Sequence, residues 1–489
     1  MRGRLPASVW VGPTRVDDRI DTRPYKPWVL ARIDRCTSFG GGTIRLGDPG
    51  VCSQLSRGVG GGKPSEQAVA VYKAKEVTGY GFAEPEIFLS DCTPPKLLQD
   101  GDVVLTSSGI GTIGRADLFD HRSFPKGVRC TVDNHVTIIR TSTDSLLPEF
   151  LVAFLNSAYG KAWSEWGTTG STRLLELSPS KVRRFEVPRA DTRIQEYIAA
   201  RIRLARECGA ASTALRRRAA AELASLWKWD AAPTHRQDGS SVRAHIVSTL
   251  RIDDRLDAQF YEPWHLELES WLDEHECWPL GDLVSSPVKG VQPEYDSEGT
   301  IPALTVTHVD PFLLDRSGAT GFVSEAWVKK NPRARVEAGD LLCTVTGPPL
   351  GETVVVEQSH LPAAINSHVA RVQVRSNFPY RHLAAGILNS PLGQWQTTRY
   401  SKGIRQKELY PKDFMRFRFP VLPPRDARRL DRLYSNACSL AERARTLVDE
   451  AKADVEALLE GRLETGAIIS GRVKAPSSRN VSELAEEIE

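Results

Sequence analysis

The 489-residue chain has no apolar run approaching the roughly eighteen residues a membrane helix needs, which excludes a helical membrane span. The opening stretch "MRGRLPASVWVGPTRVDDRID" has no apolar segment of the signal-peptide type, so a cytoplasmic location is expected. Eight cysteines (Cys36, Cys52, Cys92, Cys130, Cys208, Cys277, Cys343 and Cys438) form no C-x-x-C pair and no His/Cys group at zinc spacing. No metal ligand set is therefore expected, and the thiols read as buried and reduced. A strong charge of either sign is also missing: the net charge of +3 does not by itself argue for nucleic acid.

The catalytic patterns are absent too. A metal-dependent nuclease needs an acid followed two residues later by a carboxylate or lysine, and the acid-x-lysine found is Glu450-x-Lys452 in a long helical stretch, where an ion pair explains it. There is no N-P-P-Y or D-P-P-Y for an amino-methyltransferase, no H-E-x-x-H and no G-x-S-x-G. "FGGGT" at 39–43 lacks a strand-loop-helix setting and reads as a turn. Ten histidines are dispersed, and His135 and His368 are expected inside strands as satisfied core residues.

What is present is a repeat. "DDRIDTRPYKPW" at 17–28 returns as "DDRLDAQFYEPW" at 253–264, and "GDVVLTSSG" at 101–109 returns as "GDLLCTVTG" at 339–347. "VDNHVTIIR", "FLNSAYGKAW" and "ELSPSKVRRFEVP" are answered by "INSHVARVQV", "ILNSPLGQWQ" and "ELYPKDFMRFRFP". The five pairs are collinear and lie 232 to 238 residues apart, so the chain is two homologous halves.

The repeat decides how one conspicuous loop is read. Gly109, Gly111 and Gly114 spell G-x-G-x-x-G, as in a dinucleotide site. In the second copy Pro348 and Pro349 stand in the loop and "ETVVVE" follows, a strand rather than the helix whose N–H groups would face a pyrophosphate. The expectation is therefore a glycine-turned hairpin. "GVGGGKPS" at 58–65 is no Walker loop either, because Arg57 stands where the first glycine belongs and Pro64 follows the lysine.

Each half runs from short strands through a short apolar helix and a polar Gly/Thr/basic loop to a strand and a long helix. The distal helix places Leu430, Leu433, Ala437, Leu440, Ala444, Leu447, Ala451 and Val455 at alternating three- and four-residue steps, a coiled-coil seam. The central one has a weaker seam through Ile194, Ile198, Ile202, Ala205, Leu215, Ala219 and Leu226. At about 1.5 Å per residue each would extend on the order of 50 Å, as a strut, and two struts in one chain most simply pair. The expected organisation is an extension at 1–16, globular domains at 17–190 and 253–423, long helices at 191–229 and 424–461, and a linker at 230–252. The tail at 462–489 is weakly patterned, expected to dock late or stay partly disordered.

These ordered motifs (G-D-hydrophobic-T with a glycine turn, "LPEFLVAFLNS", the polar loop, the strand ending in proline, the long helix) resemble the specificity subunits of type I restriction-modification systems, over roughly 17–230 and 253–461. The resemblance implies an α+β chain of two target-recognition domains, each followed by a long helix, the helices pairing as an antiparallel coiled coil. It implies a non-catalytic subunit that reads an interrupted duplex DNA site. Its partners would be two methyltransferase subunits, which hold S-adenosylmethionine for adenine methylation, and a translocating ATP-dependent nuclease; the chain itself would carry no cofactor. Where the family has P-P-L-x-E-Q before the helix, this sequence keeps only Gln195-Glu196 and Pro423-Pro424, which leaves room for another methylation-based phage-defence system.

Candidate DNA contacts follow from residue chemistry. "GTTGSTR" ending at Arg173 and "TTRYSKGIRQK", with Arg399, Lys402, Arg405 and Lys407, join glycine freedom to groups that bind phosphates and base edges. Lys63 and the hairpin-tip pair Ser107-Ser108 are further candidates. Two other readings remain: a self-contained nuclease or methyltransferase with an unfamiliar site, and a non-specific duplex or single-strand binder using aromatic residues. Against the latter, Trp28 and Trp264 hold equivalent repeat positions and are expected to pack.

Overall fold

The computed structural model describes residues 22–60, 64–81, 87–89, 96–109, 111–123, 127–142, 145–170, 175–233, 247, 252, 254–316, 321–403 and 406–476. The chain forms two compact units, residues 1–211 with 442–489, and residues 212–441. Both long helices contribute to both units, so the division falls within them.

The first unit opens with α1 (Pro27–Thr37), β1 (Thr43–Arg45), β2 (Cys52–Arg57), β3 (Pro64–Tyr72), β4 (Ile87–Leu89), β5 (Val103–Thr106), β6 (Ala116–Leu118), β7 (Arg129–Val132) and β8 (Val136–Thr141). It continues through α2 (Pro148–Asn156), α3 (Ala158–Gly167), β9 (Thr168–Thr169), β10 (Glu176–Leu177), α4 (Pro179–Val182) and β11 (Glu186–Pro188) into α5 (Thr192–Leu226). An antiparallel sheet runs β2-β8-β5-β6, and a second runs β4-β3-β7 with β3 and β7 parallel. All four residues of β5, "VVLT", are buried, which is why the strand reads as an unbroken apolar run. Tyr72, Val104, Cys130, Val132, Val136 and Ile138 fill the core cluster between the sheets. Residues Phe150 to Asn156 of α2 are all buried, as a helix apolar on every side must be.

The second unit repeats this plan. Its elements are α6 (Pro263–Asp273), β12 (Cys277–Pro279), α7 (Leu280–Leu283), β13 (Val288–Lys289), β14 (Ile301–Leu304), β15 (Val309–Asp310), β16 (Leu313–Leu314), β17 (Phe322–Val323) and α8 (Glu325–Lys330). There follow β18 (Leu341–Thr344), β19 (Thr353–Val355), β20 (Ala364–Ile365), β21 (Val369–Val372), α9 (Arg381–Asn389), α10 (Pro391–Tyr400), α11 (Pro411–Phe414), β22 (Arg418–Pro420), α12 (Pro424–Glu460) and α13 (Thr465–Ile469), the last belonging to the first unit. The sheet orders β13-β21-β18-β19 and β17-β14-β20 match those of the first unit, down to the one parallel pairing, β14 with β20. β1 pairs with β11, and β12 with β22, in the same antiparallel sense.

The single short helix expected in each half is two helices joined at an Asn-Ser step. Ser157 caps α3 by accepting from Tyr159 and Gly160 N–H, and Ser390 caps α10 by accepting from Gly393 N–H. Only glycine fits just after these corners: a Cβ on Gly160 would lie 2.3 Å from the Phe154 carbonyl oxygen, and one on Gly393 2.3 Å from that of Leu388.

In the first unit, α5 residues lie beside the end of α12, with Arg201 paired to Asp454 at 3.0 Å and to Glu450 at 3.6 Å. In the second unit, Ser212 Oγ donates to the Ala437 carbonyl at 2.7 Å and Arg429 meets Glu222 at 3.3 Å. Numbers rise on one helix as they fall on the other, so the packing is antiparallel. All eight predicted seam residues of α12 are buried. On α5 the seam corrects near its end: Leu226 is 37% exposed, while Leu223 and Trp227 are buried. Trp227 also donates its indole N–H to the Pro420 carbonyl at 3.0 Å.

Most of the expected linker lies outside the described residues, as does the tail beyond 476. The start of that tail docks: Arg193 donates to the Ile469 carbonyl at 2.6 Å and Ile468 is buried.

Candidate nucleic-acid interface

The glycine loop is a hairpin in both units. β5 pairs with β6, and β18 with β19, both antiparallel, and Gly109, Gly111, Gly114, Gly347 and Gly351 all take positive φ. Among the described residues no helix begins at either turn, so neither loop presents helix N–H groups to a pyrophosphate.

In each unit the hairpin tip is fastened to the polar loop that follows the paired short helices. In the first, Leu177 N–H donates to the Ser107 carbonyl at 2.8 Å, and Ser108 bridges to Glu176. In the second, Leu409 N–H donates to the Val345 carbonyl at 2.9 Å, Thr346 bridges to Glu408, and Gly347 N–H donates to the Lys407 carbonyl at 2.9 Å. Ser108 and Thr346 thus hold equivalent places.

Beneath each tip lies an ion pair that sequence reading missed. Arg57, last in β2, donates to Glu176 Oε1 at 2.8 Å, to the Leu177 carbonyl at 3.0 Å and to the Asn134 carbonyl at 3.0 Å. Burial pulls the Arg57 guanidinium below its ordinary pKa, against the opposing pull of Glu176 and Asp133. Lys289, last in β13, pairs with Glu408 in the same way. The glycine after each cation packs against backbone: a Cβ on Gly58 would lie 2.0 Å from the Val132 carbonyl oxygen, and on Gly290 2.2 Å from that of Ile365. The shared Gly-Val after Arg57 and Lys289 was the available signal.

The candidate residues separate into distinct groups. Lys63, Arg173 and Arg405 lie outside the described residues. Ser107 is fully buried, its hydroxyl donating to the Leu105 carbonyl at 3.0 Å and lying 2.7 Å from Thr137 Oγ1. Arg399 departs from the expected loop placement. It sits in the last turn of α10, 3% exposed, paired with Glu269 at 2.9 Å and 4.5 Å from the Phe260 ring centroid, because its guanidinium completes an aromatic cluster. Ser108, Lys402 and Lys407 are partly open. Lys402 pairs with Asp413 at 2.9 Å, and Lys407 donates to Gln259.

His135 and His368 are not core residues inside strands; both lie in the turn before the last strand of the four-stranded sheet. His135 is exposed, its Nδ1 2.5 Å from Ser108 Oγ, so it joins the tip. Trp28 packs only in part, being 40% exposed beneath Arg32, whereas Trp264 stacks on His265 at 3.9 Å. Glu450 and Lys452 are used in ion pairs, with Arg201 and Asp449 respectively. The turn at Gly40–Gly42 is followed by a strand, β1.

The first hairpin and its neighbouring loop present the Ser108 hydroxyl and the His135 imidazole, and the second pair presents the Lys402 and Lys407 ammonium groups beside Thr346. Such groups donate to phosphate oxygens and to base edges. Among the described residues, the cysteines are free; burial pushes Cys36 and Cys130 up to about 12, which removes them from nucleophilic chemistry.

No family model and no curated protein matches the sequence. Among solved structures, the chain is similar to the type I restriction-modification S subunit from M. genitalium at 13% identity, over 87% of this chain and 96% of that one, with a TM-score of 0.38. It is also similar to the HsdS subunit from Thermoanaerobacter tengcongensis at 17% identity, over 87% and 98% of the two chains, with a TM-score of 0.28. A third match is to a structure addressing complex assembly and conformational transition of the type I R-M system, at 17% identity, 86% and 98% coverage and a TM-score of 0.29.

Proposed function

We propose that the chain is a non-catalytic DNA specificity subunit of the type I restriction-modification kind. Each unit reads one half of an interrupted duplex site through its hairpin tip and polar loop. The paired helices set the distance between the half-sites. Methyltransferase subunits bind alongside and use S-adenosylmethionine to methylate adenine, and a translocating nuclease completes the system.

One observation carries this reading: the two tips share a scaffold and differ in what they display. Glu176 and Glu408 occupy one place and are each held by a strand cation. At the neighbouring sequence positions the first unit has Ser108 and a glycine-rich stretch from Gly109 to Gly114, where the second has Thr346 and "GPPLG". Two readers of different sequences should agree in the groups that hold the tip and differ in the groups that touch bases.

The test is to express the chain with a methyltransferase subunit of the type I kind that co-purifies with it, and to map modified adenines across a genome. The expected result is one bipartite motif with a fixed gap, and a changed gap when one heptad is removed from each long helix. Turnover of DNA by the purified chain alone, or methylation without sequence preference, would defeat the proposal.

A further inference from the structure

The second unit's share of the long helices carries seven arginines (Arg216, Arg217, Arg218, Arg425, Arg428, Arg429 and Arg432) against three acids, Glu222, Asp426 and Asp431. The first unit's share sets seven cations against eight acids. The excess is shared equally, with three arginines against one acid on α5 and four against two at the start of α12.

Arg425, Arg428 and Arg432 follow the helical repeat along one face, and all three are exposed. The two acids nearby are turned to other tasks: Asp426 pairs with Arg429 at 3.2 Å, and Asp431 accepts from Leu383 N–H at 2.9 Å. Among the described residues no carboxylate comes within ion-pair range of Arg425, Arg428 or Arg432. Their face continues with Asn436 and Ser439, which are polar and uncharged. At the places in α5 equivalent by the repeat stand Arg193, Glu196 and Ala200, so the first unit has no such stripe, and its nearby arginines are neutralised: Arg201 by Asp454, Arg203 by Glu149 and Glu196, and Arg206 by Asp117.

Local electrostatics oppose this stripe. Arg425 lies in the first turn, where the helix dipole disfavours a cation. Neighbouring arginines three and four residues apart also repel one another. These costs are individually small, and a bound anion would reverse them. Arginine in a row on a rigid helix suits the regularly spaced oxygens of a phosphodiester backbone, which it can meet in bidentate fashion.

We propose that Arg425, Arg428 and Arg432 bind the phosphate backbone of duplex DNA, so that the second unit's part of the paired helices holds DNA without reading it. This rests on the specificity-subunit reading and deepens it: the helices act as a clamp as well as a spacer.

The test compares the full chain with its R425Q/R428Q/R432Q variant, binding the cognate duplex and a random-sequence duplex over a range of salt. Glutamine keeps the helix propensity and removes the charge. The expected result is weaker binding to both duplexes and a logarithmic salt slope shallower by roughly two to three, since each phosphate contact contributes about 0.9. The preference for the cognate duplex should be unchanged, as should helix content by circular dichroism. An unaltered salt slope would overturn the clamp, and so would lost methyltransferase binding with DNA binding intact, which would assign the stripe to a protein partner. A wild-type chain that binds both duplexes equally would instead defeat the specificity reading, whatever the variant does.

Discussion

Asn156 and Asn389 do the same work in the two units, each at the C-terminal end of a helix and each grasping one strand residue by both backbone groups. Asn156 Oδ1 accepts from Ala116 N–H at 3.0 Å, and its Nδ2 donates to the Ala116 carbonyl at 2.7 Å. Asn389 holds Thr353 at 2.9 Å and 2.7 Å in the same pattern. The amide thereby acts as an extra strand residue at the edge of each four-stranded sheet, fixing the hairpin to α2 or α9.

Replacing either asparagine with alanine leaves a strand N–H and carbonyl without their partner. We expect Asn156→Ala to destabilise by about 1–3 kcal/mol. Asn389→Ala should cost less, because its surroundings are more open. Chemical denaturation followed by hydrogen exchange should confine each loss to its own unit; equal loss in both would contradict the separate roles.

The repeat made much of this fold legible. Collinear motifs predicted matching sheets, and the match extends to Asp102 and Asp340, each accepting from a backbone N–H three residues upstream, Gln99 and Glu337. The α12 seam was legible because its apolar steps alternate regularly. What escaped detection depended on contacts between distant segments. Arg57 and Glu176 share no local pattern, and Arg399 looks like any loop cation until Phe260 and Glu269 close around it. Gln195, taken as an echo of a family motif, proves to be a buried fastener accepting from Leu147 N–H at 3.0 Å and donating to the Ser145 and Ala190 carbonyls. The break at Asn-Ser escaped because both flanks have good helical periodicity.

Arg206 and Asp117 form a buried pair at 2.9 Å that ties α5 to β6 within the first unit. Burial raises the Asp117 pKa, and Arg206 with the N–H groups of Leu118 and Gly81 pulls it back. Arg206→Ala leaves a carboxylate in the interior with its main counter-charge gone. A loss of about 3–5 kcal/mol is expected. Changing both residues to apolar ones of similar size should recover most of it in thermal or denaturant melts.

Glu352, just before β19, sets a pH dependence in the second unit. Burial pushes its carboxyl up to about 7, with Asp310 adding repulsion. The folded state therefore holds this proton more tightly than the unfolded state, whose glutamate titrates near 4.5. Its stabilising contribution is full below about 4.5 and is lost as pH rises through about 7. Glu352→Gln should flatten the denaturation midpoint across that window and raise it at pH 8. An unchanged profile would place the titrating group elsewhere.

The display residues of the tips give the sharpest separation of roles. Ser108 stands over Glu176 in the first unit, and Lys407 stands beside Glu408 in the second. If each unit reads one half-site, Ser108→Ala and Lys407→Ala should relax discrimination in different halves of the motif. A lost base contact is worth about 1–3 kcal/mol, or roughly tenfold to a hundredfold in preference at one position. Arg57→Ala should act differently, because Arg57 holds the loop through Glu176 and Leu177 instead of facing outward. It should blur every position of the first half-site while leaving the second intact, and Arg57→Lys should restore much of the pattern, since Lys289 does the equivalent work in the other unit. Methylation mapping with each variant reads all of these outcomes at once, and a uniform loss across both halves in every case would show that the tips do not read DNA separately.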